Sequence, residues 1–355
     1  MLSLYNLRLT SFLDQAGCWF LHSGIQERDG GVARFYRSDS ATNAGVSTEI
    51  TGYAASALAY LHSRTGKQEY LDAAVRAARY LTRQAWDSAA STFPFEPSSD
   101  RAYFFDIGII VRGLLAVWRA TGEEEFRTRA QEATLSLAFD FLGDSSFHPV
   151  ISLPDKQPLP EEPKWSRKPG CYQLKSALAW REIGDPHARQ LFDAEVAFAL
   201  TSHETFLAEE KDREKLMDRL HAYCYFLEAL LFTADTRDAL ASGINRAGQL
   251  LRDISPSFER SDVNAQLLRV RLVAHHLGIV PLDENAAQEE ASRAASFQAL
   301  DSTDVRLRGG FWFGRKGEHM LPFSNPVSTA FCLQALALWD DHQAGRWSFE
   351  LPQLI

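Results

Sequence analysis

The sequence predicts an all-α fold, a single (α/α)6 toroid in which six inner helices line a ring and six outer helices surround it. Three observations lead to this prediction. The hydrophobic pattern alternates between helices that are apolar on nearly every side and helices with one apolar face. Short turns rich in Gly, Asp and Pro join each apolar helix to its amphipathic successor. The first helix is amphipathic and the last is apolar, so the two can pair and close the ring.

The predicted inner helices are apolar around their whole circumference. A helix without a polar face must be enclosed by other elements, which places these helices on the inside. They are predicted over residues 50–61, 104–118, 170–180, 220–232, 263–277 and 325–339. Of these, the segment 263–277 is the most polar.

The outer helices show helical periodicity on one face only. In the segment that follows residue 66, Leu71, Ala74, Val75, Ala78 and Leu81 recur at steps of three and four. Charged residues occupy most of the opposite face, as expected for a helix that covers a core and faces water. The remaining outer helices repeat this pattern.

The ends of the chain predict how the ring closes. The first helix, about residues 4–22, has no inner partner ahead of it, and we expect it to pack on the last helix, 325–339. An open helical array needs polar capping units, and none is visible here. Unequal spacings between the inner helices also disfavour an open solenoid. We therefore predict one domain over residues 1–355.

Composition and charge restrict the class of function. Of 355 residues, 45% are apolar and 23% are charged, which is typical of a globular chain. The net charge of -9 and the lack of a basic tract argue against nucleic acid as a partner. No apolar run of about 18 residues predicts a membrane helix, and the first residues lack the features of a secretory signal. The sequence thus predicts a cytoplasmic location; it does not predict an oligomeric state.

Motifs for metals and cofactors are missing from the sequence. The four cysteines are widely separated without a CxxC pair, so we expect free thiols and no metal site. GxGxxG, P-loop, GxSxG and HExxH patterns do not occur, and we expect no cofactor. The aspartate-rich motifs associated with terpene chemistry are missing as well.

This arrangement of helices resembles the (α/α)6 toroid of the six-hairpin glycosidase superfamily, which occurs in related form in terpenoid cyclases and protein prenyltransferases. The resemblance covers nearly the whole chain, but it lies in the architecture and includes no family-specific signature. It implies the fold and directs attention to carbohydrate chemistry. It does not identify any catalytic residue, so the candidates below come from the residues themselves.

Long loops precede the inner helices, whereas the opposite loops are short. Because all inner helices of such a ring run the same way, we expect these long loops to meet at one mouth and to carry function. Aromatic faces and fixed polar groups, as a sugar ring requires, occur in or beside them. The predicted substrate-binding residues are Arg37, Tyr53, Trp165, Tyr172, Lys175, Asn264, Arg308, Trp312, Arg315 and Asn325.

Two of these loops, 163–175 and 306–319, combine aromatic residues with several cations. On an acidic protein this local excess of positive charge favours a ligand with an anionic group, such as a uronic acid or a phosphate. The aromatic residues of FWF, 311–313, predict a short strand or hairpin across the mouth. Three alternatives remain open. One is that the loops are solvated segments that bind no ligand, and another is that the aromatic side chains only fill the ring. The third is a toroid that binds a sugar without catalysis.

Two carboxylates at equivalent positions predict the leading chemistry. Glu49 and Asp106 stand at the starts of the first and second inner helices, where the surrounding sequence is apolar. A helix start can use such a charge through the dipole alone, by about 0.3–1 kcal/mol. Two carboxylates that face one cavity are also the equipment for hydrolysis of a glycosidic bond. We therefore expect a glycoside hydrolase acting on a short oligosaccharide, with uronic-acid-containing oligosaccharides among the candidate substrates.

A histidine and a tyrosine predict a rival chemistry. His221 lies at the predicted start of the fourth inner helix, and Tyr225 follows one turn later on the same face. Such a pair can act as base and acid in a polysaccharide lyase or a sugar epimerase. A histidine at this place can equally be a structural core residue.

Overall fold

The computed structural model describes residues 2–144, 146–208, 210–255 and 257–355. Within these ranges the chain forms twelve α-helices and eight short strands. The helices are α1 (Leu2–His22), α2 (Thr48–Thr65), α3 (Gln68–Tyr80), α4 (Phe104–Thr121), α5 (Glu124–Phe139), α6 (Leu174–Ile183), α7 (Pro186–Phe206), α8 (Arg213–Leu230), α9 (Arg237–Ile254), α10 (Ser261–His276), α11 (Glu284–Ala295) and α12 (Pro326–Gln343). None of these helices combines the length and the apolarity that a membrane span requires.

The strands belong to three small antiparallel sheets formed by the long loops. They are β1 (Tyr36–Arg37), β2 (Thr42–Asn43), β3 (Arg101–Tyr103), β4 (Val150–Ser152), β5 (Glu259–Arg260), β6 (Gly314–Lys316), β7 (His319–Met320) and β8 (Phe323–Ser324). Their orders are β2-β1-β8, β3-β4 and β5-β6-β7. The hairpin predicted at FWF forms just after it, as β6 and β7. Trp312 itself makes a single bridge to Ser324.

The chain divides into two compact units. The first unit contains Met1–Ile25, Arg34–Ala44 and Glu210–Ile355, and the second contains Gln26–Ala33 and Gly45–Glu209. In the second unit α2 packs on α3 and α4, α4 on α5 and α6, and α6 on α7. In the first unit α10 packs on α8, α11 and α12, and α8 packs on α9. The prediction of one domain stays a prediction.

The predicted inner and outer helices are confirmed by burial. The six predicted inner segments fall on α2, α4, α6, α8, α10 and α12, whose residues are buried around most of the helix. The helices between them bury one face only, as in α3, where Tyr70, Ala73, Ala74, Ala77 and Ala78 are enclosed. The first helix packs on the last, α1 on α12, as predicted.

Glycines bring α2, α4 and α6 together at backbone distance. A Cβ added to Gly113 would lie 2.4 Å from the carbonyl oxygen of Gly52, and one added to Gly108 would lie 2.5 Å from the Cα of Ser176. Real Cβ atoms do not approach other atoms so closely, so a larger residue forces the helices apart. Small residues therefore set the spacing of the three inner helices in this unit.

We expect Gly113→Ala to destabilise the protein, although alanine is the better helix former by about 1 kcal/mol. The added methyl group has no space against the α2 backbone, and overpacking of this kind costs about 1–3 kcal/mol. Urea unfolding followed by circular dichroism measures the change. Gly45→Ala is the matched control, because no atom lies within 4 Å of its added Cβ. Equal stability of the two variants would show that α2 and α4 are not in close backbone contact at Gly113.

Candidate functional site

His221 of α8 is the centre of a hydrogen-bonded cluster in the first unit. Its Nδ1 lies 2.7 Å from Oε1 of Gln266 on α10, and its Nε2 lies 2.9 Å from the hydroxyl of Tyr225. Since a carbonyl oxygen accepts, Nδ1 carries the proton and donates to Gln266. Nε2 therefore holds the lone pair and accepts from the Tyr225 hydroxyl. The histidine is fixed as one tautomer with a basic nitrogen next to a phenol.

Two charged residues at the start of α10 lie beside this pair. Asp262 Oδ2 is 3.8 Å from His221 Nδ1, and Arg260 of β5 holds Asp262 through two bonds of 2.9 and 2.7 Å. The remaining nitrogen of Arg260 donates to Asp218 of α8 at 2.7 Å. We call His221, Tyr225, Gln266, Asp262 and Arg260 the His221 cluster.

The environment of His221 keeps the imidazole neutral. Burial and the positive charge of Arg260 lower its pKa to about 4, against the opposing effects of Asp262, Gln266 and Asp218. Burial alone would raise the pKa of Asp262, but the Arg260 guanidinium outweighs it and the pKa is lowered. At neutral pH the cluster therefore combines a neutral histidine with an ionised Asp262. Such a histidine can accept a proton, and Asp262 can stabilise the imidazolium that results.

Aromatic side chains surround the cluster. The ring of Phe331 on α12 lies 6.4 Å from the His221 ring, and Arg260 lies over Phe313 at 4.5 Å. Phe313 stacks on Phe323 at 4.7 Å, which in turn lies 5.5 Å from Phe35. Because Phe313, Phe323 and Phe35 are only half-buried, they form a row of partly open aromatic faces that begins beside Arg260.

The cations of the loop 306–319 have partners within the protein. Arg315 pairs with Glu259 at 2.6 Å, Lys316 pairs with Glu214 at 2.7 Å, and Arg308 donates to the carbonyl of Ser302 at 2.9 Å. The excess of positive charge seen in the sequence is therefore offset by carboxylates from distant segments. This reduces the case for an anionic group on the ligand.

Of the other four predicted substrate-binding residues of the first unit, three make polar side-chain contacts with residues close by in the sequence. Arg37 is exposed and pairs with Asp39, and Asn325 caps α12 by accepting from the Ser328 amide at 2.6 Å. Asn264 is buried and donates to the Arg260 carbonyl at 2.9 Å, while Trp312 is half-buried. The fold thus uses Asn325 and Asn264 to hold local structure, and binding roles for all four stay predictions.

Asp106 lies in a second group of residues, in the second unit. It is 7% exposed in the first turn of α4. Burial raises the pKa of Tyr172, followed by the charges of Glu195 and Cys171 and then that of Asp106. After burial, the charge of Asp106 also contributes to the raised pKa of Tyr103. Trp165 meets Tyr172 edge-on at 5.0 Å, and Arg167 lies over the Tyr103 ring at 5.1 Å. The predicted residues Asp106, Tyr172 and Trp165 are therefore grouped together. We call Asp106, Tyr103, Trp165, Arg167 and Tyr172 the Asp106 cluster.

The remaining candidates are distributed along inner helices of the same unit. Glu49 is half-buried in the first turn of α2, but the cap of that helix is Ser47, whose hydroxyl accepts from the Ile50 amide at 3.4 Å. Tyr53 and Lys175 are fully enclosed in α2 and α6. Capping therefore does not account for Glu49, and its predicted catalytic role stays a prediction.

Sequence reasoning did not identify Arg260, Asp262 or Gln266. One signal was available, since Asp262 and Gln266 are four residues apart and so lie on one face of α10. Their link to His221 is long-range, because Gln266 is 45 residues away along the chain. Nothing in the hydrophobic pattern indicates which face of α10 meets α8 at that point.

Glu195 of α7 is a buried acid close to the Asp106 cluster. It is 1% exposed, and its Oε2 accepts from the Ser146 hydroxyl at 3.3 Å. Among the described residues, no donor reaches its Oε1. Burial raises the pKa of Glu195 to about 8, so the carboxyl group is protonated at neutral pH. Its charge also contributes, after burial, to the raised pKa of Tyr172.

Titration of Glu195 should therefore lower the free energy of unfolding as the pH rises. Between pH 4.5 and about 8 the unfolded chain has released this proton while the folded protein keeps it, so folding weakens by at most about 1.4 kcal/mol per pH unit. Glu195→Gln removes the titration, and the stability of the variant relative to wild type should rise over this range. Urea unfolding across this pH range measures it. Exposed Glu318→Gln is the control, and parallel curves for wild type and Glu195→Gln would contradict the assignment.

Comparison with known proteins identifies the fold. None of the protein-family models compared with the chain matches it, and no curated protein matches it in sequence. Among solved structures it is similar to the cellobiose 2-epimerase from Spirochaeta thermophila DSM 6192, at 16% identity, 96% of this chain, 98% of that chain and a TM-score of 0.72. A sugar epimerase from a ruminal bacterium matches at 11% identity, 93% and 98% coverage and a TM-score of 0.72.

A third similar structure is an unsaturated glucuronyl hydrolase specific for heparin, at 11% identity, 95% and 98% coverage and a TM-score of 0.65. All three are six-hairpin glycosidase-like toroids. The chain therefore has the all-α (α/α)6 toroid fold that the sequence predicts. At these identities the similarity establishes the fold alone, and function has to be argued from the clusters.

Proposed function

We propose that the protein is a carbohydrate-active enzyme that acts as a sugar epimerase or isomerase, with His221 as its base. One observation carries the proposal: a buried, neutral histidine whose Nδ1 donates to Gln266 and whose Nε2 accepts from Tyr225. The similar structures described as epimerases and as a D-mannose isomerase support this class of reaction.

The proposed reaction starts from the open-chain form of a reducing sugar. His221 and Tyr225 together take the proton from the carbon next to the carbonyl group, with the phenol passing it to Nε2. The electron pair moves onto the carbonyl oxygen, which gives an enediolate and an imidazolium. Asp262 stabilises the imidazolium, as a carboxylate near a histidine does in general base catalysis. When the enediolate turns so that its other face meets Tyr225, return of the proton to the same carbon gives the epimer. Return of the proton to the neighbouring carbon, with the hydroxyl proton of the second oxygen moving to the first, gives the ketose.

The partners of the cations favour this reaction over a lyase. A lyase must neutralise the carboxylate of a uronic acid before it removes the neighbouring proton. In the His221 cluster the positive charge of Arg260 is already balanced by Asp262 and Asp218, and Arg315 is balanced by Glu259. An uncharged sugar suits this environment better than a uronic acid.

Hydrolysis by Asp106 and Glu49, the chemistry that the sequence favours first, is the second candidate. Asp106 lies with Tyr172, Trp165 and Tyr103, which combines a buried carboxylate with aromatic faces for a sugar. The similar glucuronyl hydrolase supports this alternative. A glycosidase also requires a second carboxylate at a defined separation from the first. We rank this candidate below the epimerase or isomerase because direct hydrogen bonds orient His221 and Tyr225 for proton transfer.

Incubation with reducing hexoses and disaccharides in heavy water tests the proposal. An enediolate reaction introduces deuterium at the carbon next to the carbonyl group and gives an epimer or a ketose, both visible by proton NMR. Saturated and unsaturated uronic oligosaccharides are run in parallel. New reducing ends without deuterium would establish hydrolysis instead, and ultraviolet absorbance from a new double bond would establish a lyase.

A further inference from the structure

Three histidines meet where α10 and α12 end, outside both clusters described above. His275 and His276 are the last residues of α10, and His342 lies in the last turn of α12. The ring centroids of His275 and His276 are 5.3 Å apart, those of His275 and His342 are 5.6 Å apart, and those of His276 and His342 are 5.4 Å apart. We call these three residues the histidine triangle. The reaction proposed above does not use them.

A chain of hydrogen bonds fixes the tautomers of two of these rings at neutral pH. Nε2 of His342 lies 3.0 Å from Oε1 of Glu284 on α11, and because a carboxylate oxygen accepts, this nitrogen carries a proton. Nδ1 of His342 therefore holds a lone pair, and Nε2 of His276, 3.2 Å away, donates to it. Both imidazoles are neutral in this arrangement, with one proton between the two nitrogens that face each other.

His276 also contacts the chain that follows α12. The indole of Trp347 stacks on the His276 ring, with 3.6 Å between the centroids and 11° between the planes. Residues 351–355 have a separate anchor in the core, through hydrogen bonds of 2.8 and 3.1 Å to the side chain of Gln334 on α12. The stack on His276 is thus the contact through which α10 holds Trp347.

The pair of His276 and His342 cannot take up two protons without losing its hydrogen bond. One extra proton can be accommodated, since the charged ring then donates to the neutral one. Two extra protons place N–H groups on both facing nitrogens, 3.2 Å apart, and leave two positive charges side by side. His275 adds a third charge when it is protonated, with its ring at 5.3 and 5.6 Å from the other two. Acid therefore drives the histidine triangle apart.

The charged groups around the histidine triangle come from several elements. Arg237 of α9 donates to the Gly278 carbonyl at 2.9 Å, which adds a positive charge just past the end of α10. Arg346 precedes Trp347 in the chain and adds another. The carboxylates are Glu284 of α11, which bonds His342 rather than His276, and Asp340 and Asp341, which precede His342 in α12. None of the printed bonds of these carboxylates reaches His276, so its charged form gains no direct partner there.

The pKa of His276 has the direction that this environment requires. Partial burial first, and then the charges of His342 and His275, lower the pKa of His276 from its ordinary value of 6.5. The folded chain therefore binds this proton more weakly than the unfolded chain does. The contact is fully stable above pH 6.5 and loses stability as the pH falls through the pKa of His276.

We propose that the histidine triangle is a pH-dependent contact, which holds Trp347 on the end of α10 at neutral pH and releases it in mild acid. Protonation of both His276 and His342 removes the hydrogen bond between them, and with it the fixed position of the His276 ring. Trp347 then loses the surface on which it stacks, while residues 351–355 stay anchored by Gln334. This inference is independent of the reaction proposed above.

NMR of the full chain between about pH 8 and pH 4.5 tests the proposal, because this range spans the ordinary titration of histidine. Nuclear Overhauser effects should connect the rings of His276 and Trp347 at the neutral end and should be lost as His276 takes up its proton. His276→Gln and Trp347→Phe assign the signals.

His342→Gln is the decisive variant. The amide oxygen of glutamine accepts from a charged His276 as well as from a neutral one, so the pKa of His276 should rise toward 6.5 and the stack should persist in acid. His319→Gln is the matched control, because His319 is exposed on β7 and its replacement should change neither readout.

Three results would overturn the proposal. One is a wild-type stack that persists after His276 and His342 are both charged, as it would if the attraction of an imidazolium to the indole face outweighed the repulsion. Another is loss of the stack at the same pH in wild type and in His342→Gln. The third is loss of the stack together with the signal of the Ile355 amide, which Gln334 holds at 3.1 Å, because that would be general acid unfolding rather than local release.

Discussion

Replacement of His221 by glutamine should slow turnover of a reducing sugar by roughly 10²–10⁴-fold, the usual contribution of a positioned general base. Glutamine can keep a hydrogen bond to Gln266 or Tyr225, but it cannot accept a proton at neutral pH. The loss should appear in kcat rather than in KM, because the cluster acts on the proton of a bound sugar. Deuterium incorporation from heavy water should fall by the same factor.

The pH profile gives a second readout for His221. Its pKa of about 4 means that the base stays unprotonated down to mildly acidic pH, so activity should fall only as the pH approaches 4. Tyr225→Phe should lower kcat by a comparable factor, because the phenol passes the proton to Nε2, and it should leave this profile in place. His22→Gln, at an exposed position at the end of α1, is the matched control. If His221→Gln keeps wild-type turnover, the base lies elsewhere and the Asp106 cluster becomes the leading candidate.

Replacement of Glu228 by glutamine should destabilise the protein by about 3–5 kcal/mol, because it leaves a buried guanidinium without a counter-charge. Glu228 of α8 and Arg269 of α10 form an ion pair in which both side chains are completely buried. Arg269 also donates to Gln334 of α12 at 3.0 Å and lies over the Phe331 ring at 4.0 Å. Urea unfolding followed by circular dichroism measures the loss.

Two further variants separate the charge from the packing. Glu228→Leu combined with Arg269→Met removes both charges and should be much closer to wild type than Glu228→Gln alone. Arg83→Gln breaks the exposed pair with Glu125 and should cost no more than about 1 kcal/mol. If Glu228→Gln costs as little as Arg83→Gln, the pair is not what joins α8 to α10.

The fold could be predicted from the sequence because helices that other elements enclose have apolar residues on every side. Helices such as α4 are apolar on every side, and only an enclosed position makes that stable. Helix ends were less readable. α8 begins at Arg213, well before the predicted residue 220, because Asp212 accepts from the amides of Glu214 and Lys215 and caps it there. Its first two turns are too polar to read as part of an enclosed helix.

The candidate sites were only partly predictable, because their decisive contacts join distant segments. His221 and Tyr225 could be paired from their spacing of four residues, which places them on one face of a helix. The pKa of His221 is lowered by burial and then by the charge of Arg260, and no local pattern connects Arg260 to this histidine. The same limitation affected the loop 306–319, where Arg315 looked unpaired in the sequence until Glu259, 56 residues away, was found beside it.

The glycine contacts of α2, α4 and α6 have a consequence for how this protein can be changed. Where two backbones touch, no side chain can be enlarged and no neighbour can be trimmed to make room, so substitutions at Gly52, Gly108 and Gly113 cannot compensate one another. Variation in this unit is thereby directed to the long loops. A mutational library scored for folded protein should tolerate many residues in the loop 154–169 and retain glycine at these three positions.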